Sequence, residues 1–154
     1  MHELDGHNIP NIPVNPTVDC GAAANAAALS AAGSSGHCWW TCGGCTRDTD
    51  ITQCKDEWEW GHTYDDGPGF YTNKLLTYLN SLPDNGESEG GAGVAPGIKA
   101  TFFVVGARVV SRPDIMIYEY MNNHEISIHT WSHPALTTLT NEQVRSGAIP
   151  SFEY

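Results

Sequence analysis

Residues 59–143 alternate between apolar, β-branched segments and amphipathic segments, and this alternation restricts the fold more than any other feature of the sequence. We predict strands at about 59–65, 99–105 and 125–130, and helices at about 72–82, at 113–122 and after Thr140. A strand–helix–strand order is typical of parallel sheets, because the helix returns the chain so that the next strand runs in the same direction. The predicted fold class is therefore α/β, with about three β/α units, too few for an eight-stranded barrel of about 250 residues.

Composition and charge narrow the classes of partner. The chain has 154 residues, of which 40% are hydrophobic, and this is enough for one packed domain. Seven Lys and Arg against 18 Asp and Glu give a net charge of −11, so nucleic acid and anionic membrane surfaces are disfavoured. The sequence has no run of about 18 apolar residues that would predict a transmembrane segment, and residues 1–15 lack the pattern of a signal peptide.

Five cysteines lie between residues 20 and 54, a density typical of proteins from an oxidising compartment. Because this density conflicts with the lack of a signal peptide, we expect that the chain lacks its natural N-terminus. We predict an irregular arm over residues 1–36, then a loop over residues 37–58 stapled by disulfides among Cys38, Cys42, Cys45 and Cys54. A structural zinc site with four sulfur ligands is the alternative, and the odd number of cysteines leaves one thiol unpaired.

The segments that flank the first helix carry further expectations. Trp58 and Trp60 are predicted to pack in the core beside the first strand, with an exposed platform for stacking a sugar ring as the alternative. Thr72 is predicted to cap the first helix. Residues 83–97 contain five glycines and are predicted to form a flexible loop.

Two polar motifs follow predicted strands. Asp65 and Asp66 end the first strand, and His129 and His133 end the third. Catalytic groups of α/β folds gather at the carboxyl ends of parallel strands, so these four side chains are expected at one edge. Two histidines and one carboxylate are a standard ligand set for a catalytic zinc ion. Taken alone, the aspartates could cap a turn and the histidines could lie on the surface, but together they favour a metal site.

Three motifs in this order resemble the polysaccharide deacetylase family, also known as the NodB-homology domain or carbohydrate esterase family 4. They are Thr63-Tyr-Asp-Asp-Gly-Pro68, Lys99-Ala-Thr-Phe-Phe-Val-Val-Gly106 and His129-Thr-Trp-Ser-His-Pro134. The run Trp40-Thr-Cys-Gly-Gly-Cys-Thr46 is similar to the fungal chitin deacetylases of this family. The resemblance covers roughly residues 38–144, and Tyr64 stands where the family normally has Phe.

The resemblance implies a partial, distorted (β/α) barrel and a metal-dependent hydrolysis of the N-acetyl groups of chitin or N-acetylglucosamine oligomers. By matching positions, Asp66, His129 and His133 would bind the metal, usually zinc and in some members cobalt. Asp65 would be the general base, and the substrate-binding residues are not assigned. The family setting implies a secreted or cell-wall protein.

The resemblance ends near residue 144, before the family's later motifs, which carry an Arg, an Asp and a general-acid His. We therefore expect that residues 59–154 form a truncated deacetylase domain that is a poor catalyst. The alternative is a non-catalytic remnant or a cell-wall carbohydrate-binding protein that keeps a partial metal site.

Overall fold

The computed structural model describes residues 13–34, 39–43, 48–83 and 97–144. Close contacts divide the chain into two units, of which one comprises Met1–Thr52 with Pro134–Tyr154 and the other comprises Gln53–His133. Among the described residues, no helix is long and apolar enough to cross a membrane. The elements in chain order are α1 (Ala26–Ser34), α2 (Trp40–Gly43), β1 (Thr63–Gly67), α3 (Thr72–Ser81), β2 (Thr101–Val104), α4 (Gly106–Ser111), α5 (Pro113–Met121), β3 (Glu125–Ile128) and α6 (Asn141–Gln143), with 3₁₀ turns at Ala23–Asn25 and Leu136–Thr138.

The unit Gln53–His133 contains a sheet of three parallel strands in the order β1-β2-β3, which confirms the α/β prediction. Tyr64 pairs in register with Phe102, and Phe102 pairs with Ile126. These three side chains belong to the apolar core on one face of the sheet. The buried members of that core are Leu76, Leu79, Ala100, Phe102, Val104 and Ile115. The helices α3 and α5 therefore cover the sheet through their leucine and isoleucine side chains.

The first strand begins later than predicted, because residues 56–59 form a turn. The carboxylate of Glu59 accepts a hydrogen bond from the Asp56 N–H, and the Asp56 carbonyl accepts one from the Glu59 N–H. Trp58 lies within this turn with φ +74° and is 93% exposed, and Trp60 is 89% exposed. The prediction that both tryptophans pack in the core is therefore wrong.

The predicted helices are present at the predicted positions, but the cap of one helix and the number of helices differ from the prediction. Helix α3 spans the predicted range, but Thr72 is its first residue, and its hydroxyl accepts a hydrogen bond from the Gly69 N–H. Helix α5 begins at Pro113 as predicted, whereas α4 is an additional helix before it. Thr140 forms the predicted reciprocal cap with Gln143 at the start of α6. Residues 84–96 of the predicted loop lie outside the described residues.

The other unit contains two departures from the predictions. The expected irregular arm is wrong at α1, where the alanine tract forms a helix because alanine has the highest helix propensity. The prediction of disulfides within the later cysteine cluster is wrong for Cys42, which pairs with Cys20 across a Cα–Cα distance of 5.4 Å. This disulfide removes Cys42 from any four-sulfur zinc site. Cys54 is a free, exposed thiol, and Cys38 and Cys45 lie outside the described residues.

Two titratable side chains are buried beside the sheet. Glu119 on α5 is fully buried, and neither of its carboxylate oxygens has a hydrogen-bond partner among the described residues. Burial raises its pKa from 4.5 to about 7. His124, which precedes β3, accepts a hydrogen bond from the Ala100 N–H at its Nδ1 atom. Burial, together with the positive charge of Lys99, lowers the pKa of His124 from 6.5 to about 4. Both groups are therefore held in their neutral forms near pH 6.

Replacement of Glu119 with methionine should stabilise the fold in a pH-dependent manner. A raised carboxyl pKa costs stability as the pH rises from 4.5 to 7, because the folded state must either keep a proton or bury a charge. Glu119→Met should therefore raise the free energy of unfolding by about 3 kcal/mol more at pH 8 than at pH 4.5. Denaturant titrations at both pH values measure this difference, with the exposed Glu57→Met as the control. An equal change at both pH values would contradict the prediction.

Candidate metal centre

The aspartate motif lies at a bulge at the carboxyl end of β1. Asp65 pairs in register with Phe103 and Gly67 pairs with Val104, so Asp66 is the extra residue of the strand. Asp66 has φ +67°, a conformation that is uncommon for residues other than glycine but occurs more often for aspartate. A bulge of this kind redirects a side chain at the end of a strand. Asp65 is exposed, and so is Asp66.

The histidine motif forms a tight turn directly after β3. The His129 N–H donates to the Val104 carbonyl, which extends the ladder with β2 by one bond. Thr130 then adopts φ +64°, and its hydroxyl accepts a hydrogen bond from the His133 N–H. His133 itself has φ +56°. The turn thus reverses the chain between the two histidines, and their ring centroids lie 4.9 Å apart.

The three predicted metal ligands converge on one point. The Nε2 atoms of His129 and His133 each lie 3.1 Å from the same carboxylate oxygen, Oδ1 of Asp66. One donor atom from each residue lies within 4.8 Å of the other two. His133 and Asp66 are about half exposed, whereas His129 is more buried. The group is therefore open to solvent on one side, as a site that admits a substrate must be.

The donor set suits a zinc ion in both chemistry and spacing. Two ligands at about 2.0–2.1 Å from one tetrahedral zinc ion are themselves about 3.3 Å apart. The observed oxygen–nitrogen distances of 3.1 Å are close to that value. Neutral imidazole nitrogen and carboxylate oxygen are both ordinary zinc ligands, and three protein ligands leave a fourth position for water or substrate. The geometry thus fits a catalytic rather than a closed structural site.

Tyr64 accommodates its extra hydroxyl through a neighbouring histidine. The Tyr64 ring stacks on Phe102 with centroids 5.3 Å apart, as a phenylalanine ring at this position could. Its hydroxyl lies 2.6 Å from Nε2 of His62, so the polar atom is hydrogen-bonded. Tyr64 therefore packs on Phe102 as the usual Phe could, and its additional hydroxyl has a hydrogen-bond partner.

Two residues beside the site had no role assigned from the sequence, although Gly106 ends the second of the three quoted motifs. Arg108 on α4 donates a hydrogen bond from Nη1 to the main-chain carbonyl of Asp66 at 2.5 Å. Gly106, the first residue of α4, lies directly under the ring of Trp131. The sequence signal for Arg108 was its position just after the second predicted strand, which places it near the same sheet edge.

Comparison with known proteins gives the same family as the motifs. The family model for polysaccharide deacetylases matches residues 95–148. This segment belongs to the polysaccharide deacetylase family. The segment and most of the rest of the chain are also similar to chitin deacetylase 1 of Cryptococcus neoformans var. grubii, with 50% identity over 94% of this chain and 26% of that protein. The chitin deacetylase of Amylomyces rouxii is 32% identical over 93% of this chain and 32% of its own length. The chain thus spans about a quarter to a third of the length of those relatives.

Two solved structures of deacetylases also resemble the chain. A peptidoglycan deacetylase from Bacillus subtilis is 32% identical, with a TM-score of 0.44 over 57% of this chain and 37% of that one. The chitin deacetylase from the fungal pathogen Colletotrichum lindemuthianum is 32% identical, with a TM-score of 0.42 over 56% of this chain and 34% of that one.

Proposed function

We propose that this chain carries the metal-binding part of a chitin deacetylase active site. In this proposal Asp66, His129 and His133 bind one divalent cation, zinc or alternatively cobalt, and Asp65 is the general base. The observation that supports it most is the approach of both histidine Nε2 atoms to one carboxylate oxygen of Asp66 at 3.1 Å.

The proposed reaction is hydrolysis of the amide bond of an N-acetyl group. A divalent cation held by the three ligands supplies Lewis acidity, which makes water more acidic and an amide carbonyl more electrophilic. Asp65 accepts the proton of the attacking water, and this proton passes to the departing nitrogen as the carbon–nitrogen bond breaks, so that the products are acetate and a free amine. The exposure of Asp65 and its position next to Asp66 in β1 are consistent with this role.

The proposed substrate is chitin or an oligomer of N-acetylglucosamine. Support comes from the similar proteins that carry the name chitin deacetylase. The net charge of −11 disfavours anionic polymers such as nucleic acid, whereas acetylated chitin is uncharged. We further propose that residues 59–154 are part of one deacetylase domain and that the protein acts at the cell wall or outside the cell.

The test combines metal content with product analysis. Protein stripped by a chelator and then dialysed against zinc or cobalt should contain one metal ion per chain. It should also release acetate from N-acetylglucosamine oligomers, and a chelator should abolish this release until metal is returned. Acetate release that persists in the stripped protein, or a preparation that retains no metal, would contradict the proposal.

A second candidate function is carbohydrate binding without catalysis. The exposed rings of Trp58 and Trp60 support it, because a flat aromatic face can stack on the apolar face of a sugar ring. Pull-down with insoluble chitin distinguishes the two functions. Binding that survives the chelator and is lost in Trp60→Ala, without acetate release under any metal condition, would favour this candidate.

A further inference from the structure

The bulge that contains Asp66 is held from outside its own strand. Because Asp66 is the extra residue of β1, it has no register partner in β2. Its main-chain carbonyl instead accepts the hydrogen bond from the Arg108 guanidinium. A hydrogen bond from a charged donor is roughly twice as strong as a neutral one. Arg108 thus stabilises the positive-φ conformation that directs the Asp66 carboxylate.

The turn that contains the histidines is held by the first two residues of the same helix. The Gly106 N–H donates to the Thr130 carbonyl at 3.0 Å, and the Ala107 N–H donates to the Trp131 carbonyl at 2.9 Å. The first N–H groups of a helix have no partner within the helix, so they are free to make such bonds. These two bonds fix the main chain midway between His129 and His133.

The Trp131 ring adds a steric constraint on the same turn. A Cβ atom on Gly106 would overlap Cε3 of Trp131 and lie 2.9 Å from its Cζ3 atom. The Trp131 ring therefore packs directly against the main chain of Gly106, and no larger residue fits at position 106 unless the ring is displaced. Since Trp131 lies between the two histidines, a displaced ring would displace their main chain as well.

We propose that Gly106, Ala107 and Arg108 act together as positioning residues for the metal ligands, and we name them the α4 clamp. One end of the clamp holds the turn with His129 and His133, and the other end holds the bulge with Asp66. The inference rests on the proposed metal site and goes beyond it, because it assigns the geometry of the site to residues that do not contact the ion. A change that weakens the contacts at either end of the α4 clamp should lower the metal affinity, although all three metal ligands remain.

Arg108→Met tests the end that holds Asp66. Positioning groups of this kind typically change metal affinity about 10–100-fold. We expect the cobalt affinity of Arg108→Met to fall at least about 10-fold, with a changed visible absorption spectrum of the bound cobalt. Arg108→Lys keeps a charged donor and should recover part of the affinity. The matched control is Arg112→Met, because Arg112 directly follows the same helix and should leave both readouts unchanged.

Gly106→Ala tests the end of the α4 clamp that holds the histidine turn. The double variant Gly106→Ala/Trp131→Leu tests whether overlap with the Trp131 ring causes the loss of metal affinity. If the overlap with the ring displaces the histidines, the single variant should bind cobalt weakly, and the smaller leucine side chain of the double variant should restore part of the affinity. In the absence of metal, the amide hydrogens of residues 106 and 107 should exchange faster in the single variant than in the wild type. The exchange readout does not depend on metal binding.

The outcomes separate this inference from the proposed function. A wild-type protein that binds no cobalt would overturn both the metal site and the clamp. Wild-type binding with the same affinity and spectrum in Arg108→Met and Gly106→Ala would overturn the clamp alone. Weakened binding in both variants, with normal binding in Arg112→Met, would support it.

Discussion

Replacement of His133 with alanine is expected to lower the zinc affinity of the protein by at least about 100-fold, because the loss of a residue that only supports a metal ligand already costs about 10–100-fold. His133 offers one of only three protein donors in the group, and its Nε2 atom lies 3.1 Å from Oδ1 of Asp66. The variant would keep two protein ligands, one fewer than the three of ordinary catalytic zinc sites. Competition with a chromophoric chelator measures the affinity directly.

The matched control for this experiment is His62→Gln. His62 belongs to the same unit, but its Nε2 atom contacts the Tyr64 hydroxyl and it is not a member of the group. The affinity of the wild type should also fall as the pH falls, because protons compete with the metal for the imidazole nitrogens. Equal affinity in His133→Ala and the wild type would show that the histidine turn is structural.

Replacement of Asp65 with asparagine is expected to lower the rate of acetate release by about 100- to 10,000-fold, the usual contribution of a general base. Asparagine has nearly the same shape as aspartate, so the register between β1 and β2 should be kept. Because Asp65 is not in the group of three donors, the metal content should stay near that of the wild type. The loss should appear in kcat rather than in KM.

Asp56→Asn is the control, since Asp56 is an exposed aspartate of the turn before β1. Metal analysis of each preparation accompanies the rate measurement. A slow Asp65→Asn variant that has also lost its metal would identify Asp65 as a ligand and contradict its role as the base. An unchanged rate with full metal content would exclude Asp65 from proton transfer.

The site could be predicted to the extent that it follows from strand order. Asp66 and His133 are 67 positions apart in the sequence, yet each follows a strand of one parallel sheet, and such strands end at a common edge. The same reasoning could not give the two positive-φ turns, because these depend on a bulge and on hydrogen bonds from α4. A helix of six residues leaves too short a pattern to recognise.

Other features depend on contacts that residue spacing does not encode. Cys42 is closer in sequence to three other cysteines than to Cys20, but α1 brings the chain back toward Cys20. Trp58 has a residue type typical of cores, and a four-residue turn places it in solvent. Glu119 falls one helical turn after the buried Ile115, so its burial follows from helix periodicity, although a carboxylate is rarely found there.

The two buried titratable groups beside the sheet change the free energy of unfolding in opposite directions as the pH rises. His124 destabilises the fold in acid, because its unfolded form binds a proton below pH 6.5 whereas the folded form resists it down to about 4. Glu119 has the reverse effect from pH 4.5 up to about 7. Between pH 4.5 and 6.5 the two groups change the free energy of unfolding with opposite signs as the pH rises. Outside that interval only one of the two groups changes it. The pair therefore leaves the stability of the sheet and its helices nearly independent of pH over that interval, and above pH 6.5 only the Glu119 carboxyl still lowers the stability, as the pH rises to about 7.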